Sequence, residues 1–462
     1  MSERAWWWCG GWLVAAGWAG VFPLVSGLGP HRMWGACAAL GYGAAALAAV
    51  VVRRRGREVS VAVALVGSVL VPLLALVLTG RGQSEVGVIE RSGVLLLHTG
   101  TPYLAEPRTV DEYNPYLPGM ALLGLPRAVL GASPFGSSPF GDARLWCALV
   151  FLLCALRTVP AGRRLGGHAL GGYTLGRHAL GGYALGGHAL GGYALGRHAL
   201  GAYTLTASPV VALPLCVSGV DLPLTGLCWL ALVRAGERRP VAAGLALAAA
   251  CSLKWTAWPA VAVVAALLAA TAGRRAALRG AAVAVGGAAL LVLPGALRSP
   301  GPLVRQVFAF PTGRGDLPTP AASPLPGQLL AGFGPPGWYA AVGLLLLAGL
   351  AVGASLLLRP PLNTAGAAHR LALGLTAAFL LAPAGRFGYL ALPLVLVLLA
   401  STSVRKGLPW APPSSSPTTT RPARAASRPS STPWPPACPG RSWSTPPPSP
   451  ARPATTQASP SR

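Results

Sequence analysis

The sequence predicts an all-α polytopic membrane protein, and three observations carry that expectation. Of its 462 residues 53% are hydrophobic and only 10% charged, with a mean hydropathy of +0.55; a soluble domain carries roughly 25% charge. Apolar runs near the ~20 residues that a bilayer core demands recur at 6–26, 34–52, 59–79, 144–160, 278–297, 337–358 and 367–402, the last long enough for two spans. Loops between them alternate between Arg-rich and Arg-poor text, as the retention of basic loops in the cytoplasm requires.

Taken in order, the first run reads "MSERAWWWCGGWLVAAGWAG". No small-residue cleavage site follows a short apolar core, so it reads as an uncleaved first span with an interfacial Trp cluster. With the next two runs it makes an N-terminal group of three helices over 1–79. A loop over 80–143 and a span with its basic end over 144–164 follow. After a Gly-rich repeat at 165–205, spans resume over 206–402. Between 206 and 272 the apolar text breaks at Asp221, at "RAGERRP" and at Lys254, which divides it into four short helices. The total is about twelve spans by hydropathy.

Basic clusters lie at 53–57, 157–164, 234–239, 273–279, 359–370 and 405–406. Every second loop is therefore basic, which puts both termini in the cytoplasm. The loops at 80–143, 220–222, 253–255, 298–336 and 384–387 then share the outward side of a multi-pass protein of the cell membrane. The net charge of +26 sits in these cytoplasmic loops and in the tail, with no nucleic-acid module between, so it reads as topology and nucleic acid is excluded as a partner.

Residues 165–205 repeat a five-residue unit whose fourth position alternates His and Tyr. His168, His178, His188 and His198 recur every ten residues, each landing about 80° around a helix from the last, so no face collects them as a metal array. The repeat reads as a flexible low-complexity expansion in a cytoplasmic loop. From 403 to 462 the text turns to Pro, Ser, Thr, Arg and Ala; this cannot bury a core, so a disordered tail is expected, or an out-of-frame reading of the original C-terminus. Seven of the eight Cys fall in apolar segments and none forms a Cys-x-x-Cys pair, so neither a metal site nor a disulfide framework is expected.

Function is expected in the first outward loop. The chain has 11 acidic residues, and Glu85, Glu90, Glu106, Asp111 and Glu112 all fall within 83–119. A solvated face is the plain reading, and Glu85 could simply complement a helix dipole. Against it, "VGVIERSGVLLLHTG" can form a helix lying at the membrane interface, and "YNPYLPGMALLGLPRAVLG" is apolar, Pro-broken and too short to span. A loop that meets the bilayer twice can shape a pocket at headgroup level. Lys254, set between two apolar helices, is costly without a partner and functional by default.

The order "GTPYL", "EYNPYLPGMALLGLP", "AAACSLKWTAWPAVAVVAALL", "SPLPGQLLAG" and "FLLAPAGRFGYLALPLVLVLL" resembles the polyprenyl-phosphate-mannose-dependent mannosyltransferases of glycosyltransferase family 87, in the GT-C superfamily. The resemblance covers roughly 60–402 apart from the repeat. It departs in three ways: Glu85 stands where the family has Asp, Arg386 is nearest to a missing His, and two helices precede the family's first. It implies a GT-C-like bundle with a long outward loop in its first half. It also implies a polyprenyl-phosphate sugar donor, a lipid or glycan acceptor, surrounding membrane lipids and no cofactor or metal.

Such a transfer needs one carboxylate to take the proton of the acceptor hydroxyl, because the leaving phosphate is already a stable anion. Glu85 is the expected base and Asp111 its backup. Lys254 and Arg386 are expected to balance the phosphate, while Glu90, Glu112, Tyr113, Asn114, Tyr116 and Gln328 line the pocket. A secondary transporter, with charges at the membrane midplane, and an inactive family member are the alternatives.

Overall fold

The computed structural model describes residues 3–131, 138–158, 197–217 and 219–404. The expectations for most of the Gly-rich repeat and for the tail after 404 lie outside them.

The described residues are helical and belong to one compact unit. Helices α1 (Glu3–Val25), α2 (Gly29–Val51) and α3 (Gly56–Leu78, with one π-helical turn at Val66–Leu70) form the N-terminal group. The loop expected at 80–143 contains α4 (Ser84–Thr99) and α5 (Ala121–Leu130). The carboxylate of Glu90 ties this pair to α6 (Ala143–Arg157), accepting from both Arg127 and the amide of Ala143. Apolar helices α7 (Arg197–Ala207) and α8 (Pro209–Val217) meet at a 62° bend. There Tyr42 Oη and Ser68 Oγ both donate to the Ala207 carbonyl, an acceptor that the break leaves outside the helical ladder. The repeat's last units are therefore the first turns of a membrane-type helix, and regular structure resumes before the expected residue 206.

Helices α9 (Asp221–Gly236), α10 (Pro240–Leu253), α11 (Pro259–Ala272) and α12 (Arg274–Arg298) follow, broken at the polar residues the sequence supplies. A short helical stretch over 300–312 and a loop to 325 lead to α13 (Pro326–Ala331), α14 (Pro335–Leu358), α15 (Thr364–Leu381) and α16 (Ala391–Val404). Seven helices among the described residues are long and apolar enough to cross a membrane, or eight if the bent pair counts as one. Helices α6, α9, α10 and α16 have 14 to 16 residues, about 21–24 Å at 1.5 Å per residue. That is less than a ~30 Å hydrocarbon core, so length alone assigns fewer spans than the hydropathy pattern does.

The outer faces are leucine-rich and exposed, as at Leu290, Leu350, Leu357 and Leu358, while Trp34, Trp229, Phe151 and Leu247 fill the interior. An exposed apolar surface of this extent has lipid as its natural solvent. Chain breaks collect at two ends. At one, Arg234 donates to the Arg157 carbonyl, and a Cβ on Gly236 would meet Thr364. At the other lie Glu85, the 100–117 loop, Asp221, Lys254, the 299–325 loop and Arg386, joined by the contacts described next. These are the segments that the Arg pattern assigns to a common side.

Candidate active site

Lys254 is the centre of this end. Helix α10 stops at Leu253, Lys254 is extended (φ −155°, ψ 137°), and a short 3₁₀ turn at Trp255–Ala257 starts the next span. Lys254 Nζ donates to Asp221 Oδ1 at 2.8 Å, with 12% and 28% of the two side chains exposed. Asp221 is the first residue of α9, where a carboxylate also complements the helix dipole. The ammonium faces the rings of Tyr389 at 4.7 Å and Tyr116 at 5.6 Å, both within cation–π range.

Glu85 joins them from the first turn of α4. Its charge acts on Lys254, Tyr116 and Tyr389 together. A Cβ on Gly219 would stand 3.9 Å from Glu85 Cβ, so the turn before Asp221 packs on that first turn of α4. Arg386 acts on the same two tyrosines and donates from Nε to the Pro320 carbonyl at 3.3 Å. Burial, then the carboxylates of Glu85 and Asp221, push the Tyr116 phenol well above its ordinary value; it is a neutral hydroxyl.

The first loop is fastened over this cluster. Leu117 N donates to the Leu253 carbonyl at 3.0 Å, one residue before Lys254. Gly119 lies against α10 so closely that a Cβ there would come within 2.2 Å of Ser252 Oγ and 2.8 Å of its carbonyl oxygen. Buried Asn114 donates from Nδ2 to Ser92 Oγ and the Pro102 carbonyl, and its Oδ1 accepts from Tyr116 N. Its own amide donates to Gln306 Oε1 at 3.0 Å, and Gln306 Nε2 donates to the Leu104 carbonyl at 2.6 Å. Gln306 is fully buried on a π-helical turn at Val304–Ala309. Every polar atom of the Asn114 side chain has a partner, as burial requires; this part of the loop is a rigid roof.

Of the residues expected at the site, the structure brings Glu85, Tyr116, Lys254 and Arg386 together. Asn114 holds Tyr116 in position. Glu90 is separated from them in role: Arg127 pairs with it at 2.9 Å in a two-pronged bond and Ala143 N donates to it. It is a brace. Glu112 closes a capping box with Thr109 around a 3₁₀ turn, and the Arg108 and Thr109 amides hold its carboxyl below the usual range. Exposed Asp111 acts on Arg91, which donates to the Asp111 carbonyl. Tyr113 stacks on Phe310 with ring centres 4.4 Å apart. Gln328 sits half-buried on α13.

Sequence reasoning did not assign Asp221, Tyr389 or Gln306 to the site. Asp221 had a usable signal, being the only acidic residue between Asp142 and Glu237 and sharing Lys254's predicted side. Tyr389 and Gln306 had none, because their places depend on how distant loops pack. Among the described residues, no group of three or more His, Cys, Asp or Glu is disposed to hold a metal ion. The cluster therefore offers two carboxylates, two cations and two phenols at one end of a helical bundle, with apolar surface beside it. No protein-family model, curated protein or solved structure matches the chain.

Proposed function

We propose that the chain is a membrane glycosyltransferase that moves a hexose, mannose by resemblance, from a polyprenyl-phosphate carrier to an extracytoplasmic lipid or glycan acceptor. The observation that carries this reading is the convergence of Glu85 with the Lys254–Asp221 pair, beneath a roof fixed by Asn114. A transporter would need its charges near the midplane; here they lie where helices end.

Glu85 accepts the proton of the acceptor hydroxyl as that oxygen bonds to the anomeric carbon. The bond from that carbon to the phosphate oxygen breaks, and the carrier leaves as polyprenyl phosphate. An ammonium has three donors; Lys254 spends one on Asp221, which leaves two for the phosphate. Arg386 supplies the second cation. The carrier's chain would lie along the exposed leucine faces. Seven long spans, together with α6, the bent α7–α8 pair, α9, α10 and α16 as shorter crossings, support a GT-C-like bundle of about twelve, with both termini cytoplasmic.

The test is transfer of radiolabelled mannose from polyprenyl-phosphate mannose in membranes, comparing wild type with Glu85→Gln. Loss of turnover by about 10²-fold with donor binding retained is expected, while Glu237→Gln, paired with Arg234 at the opposite end, should transfer normally. Equal, mild losses in both variants would return Glu85 to a plain dipole charge.

A further inference from the structure

A polar cavity lies under the same loop, and the proton-transfer scheme makes no use of it. Its volume is about 270 Å³, and its lining includes Glu106, Arg108, Tyr113, Arg305 and Asp316. Tyr113 and Asp316 line it together, close enough for the Asp316 charge to act on the phenol. Arg305 NH2 donates to the Ala105 carbonyl at 2.8 Å. The floor is rigid, because Gln306, next to Arg305, clamps Leu104 and Asn114. Among the described residues, neither carboxylate forms an ion pair with either arginine.

Two carboxylates and two guanidiniums cancel, so neither a cation nor an anion gains Coulombic preference. What the set offers is directional: carboxylates only accept hydrogen bonds and guanidiniums only donate them. A sugar hydroxyl does both, so adjacent hydroxyls of a neutral hexose can satisfy one of each. The cavity is also near the centre. Tyr113 lines it, Tyr116 faces Lys254, and three residues of chain span at most ~11 Å.

We infer that this cavity binds a neutral saccharide unit of the acceptor, set back from the hydroxyl that is glycosylated. The word acceptor rests on the transferase reading; binding of neutral sugar does not. The test is saturation-transfer NMR on the detergent-purified full chain with mannotriose and maltotriose as neutral probes and trigalacturonate as the charged one. Neutral trisaccharide should bind, and Asp316→Ala and Arg108→Ala, both at exposed positions, should each weaken it about tenfold or more with unchanged thermal unfolding. Glu85→Gln should bind the trisaccharide as wild type does. If a variant lowers the unfolding temperature, Glu106→Gln takes its place. Absence of neutral-sugar binding, binding indifferent to these substitutions, or a preference for trigalacturonate would overturn the inference. Trisaccharide binding without any sugar transfer would leave the cavity standing and remove the transferase; transfer with acceptor KM unchanged in Asp316→Ala would do the reverse.

Discussion

Lys254 Nζ lies 2.8 Å from Asp221 Oδ1 and 4.7 Å from the centre of the Tyr389 ring, so one ammonium joins the ends of three helical segments that are far apart in sequence. The pair is mostly buried, and removal of one partner leaves the other charge without compensation. Lys254→Met and Asp221→Asn should each destabilise the protein by about 1–3 kcal/mol, less than a fully buried pair because part of it reaches solvent. The double change Lys254→Met with Asp221→Leu should recover much of that loss. Thermal unfolding in detergent reads it; a double variant no more stable than Lys254→Met would show that the pair is not coupled. Transfer should be absent in Lys254→Met and stay absent in the double variant, since the phosphate has lost its counter-charge.

Gly119 tests how tightly the roof is attached. Gly119→Ala drives a methyl into Ser252 and its carbonyl, and backbone cannot yield as a long side chain does. The loop must lift from the Lys254 turn, which predicts lower stability and a loss of transfer larger than the loss of fold. Gly286→Ala is the comparison, because nothing stands within 4 Å of that Cβ on α12 and Ala is favoured in a helix by up to ~1 kcal/mol. Equal unfolding temperatures for the two variants would mean the loop is not seated on α10.

The Glu112 capping box predicts a pH dependence. Its carboxyl titrates below the usual 4.5 because the Arg108 and Thr109 amides bind the charged form. A depressed folded value contributes order that is fully present above the unfolded value and fades as pH falls through the folded one. Amide exchange at Arg108 and Thr109, corrected for the intrinsic rate, should therefore stay slow above pH 4.5 and speed up as the solution is acidified further. Glu112→Gln should exchange faster than wild type above pH 4.5 and show no such step. A step that survives in Glu112→Gln would have another source.

The sequence revealed much of this architecture because hydropathy runs and Arg-rich loops are local, and a bilayer punishes unpaired polar backbone strongly enough to make them decisive. The helix from Ser84 and the breaks at Asp221 and Lys254 were legible for that reason. Glu85 and Lys254 could be assigned to one side by loop parity alone. Their actual neighbours could not be, because Asp221, Tyr389 and Gln306 meet the loop only through tertiary packing. Glu90 shows the same limit: nothing local announces that Arg127, 37 positions away, pairs with it and makes it a brace. The bent pair at Ser208 was hidden because the repeat's composition outweighed the helical period of its last units.

Orientation gives the last prediction. Pro318 lies in the loop that Arg386 grips through Pro320, and exposed Leu362 precedes α15 at the opposite end of the bundle. The Arg-rich segment at 359–370 should hold Leu362 in the cytoplasm. On a background without native cysteines, Pro318→Cys should react with an impermeant maleimide in intact cells, and Leu362→Cys only after permeabilisation. Neither position lines the Lys254 cluster or the Tyr113 cavity, so transfer should continue in both and report an intact fold. The reverse labelling would put the cluster on the cytoplasmic face, where a soluble sugar nucleotide would be the accessible donor and an extracytoplasmic lipid-linked transfer could not occur.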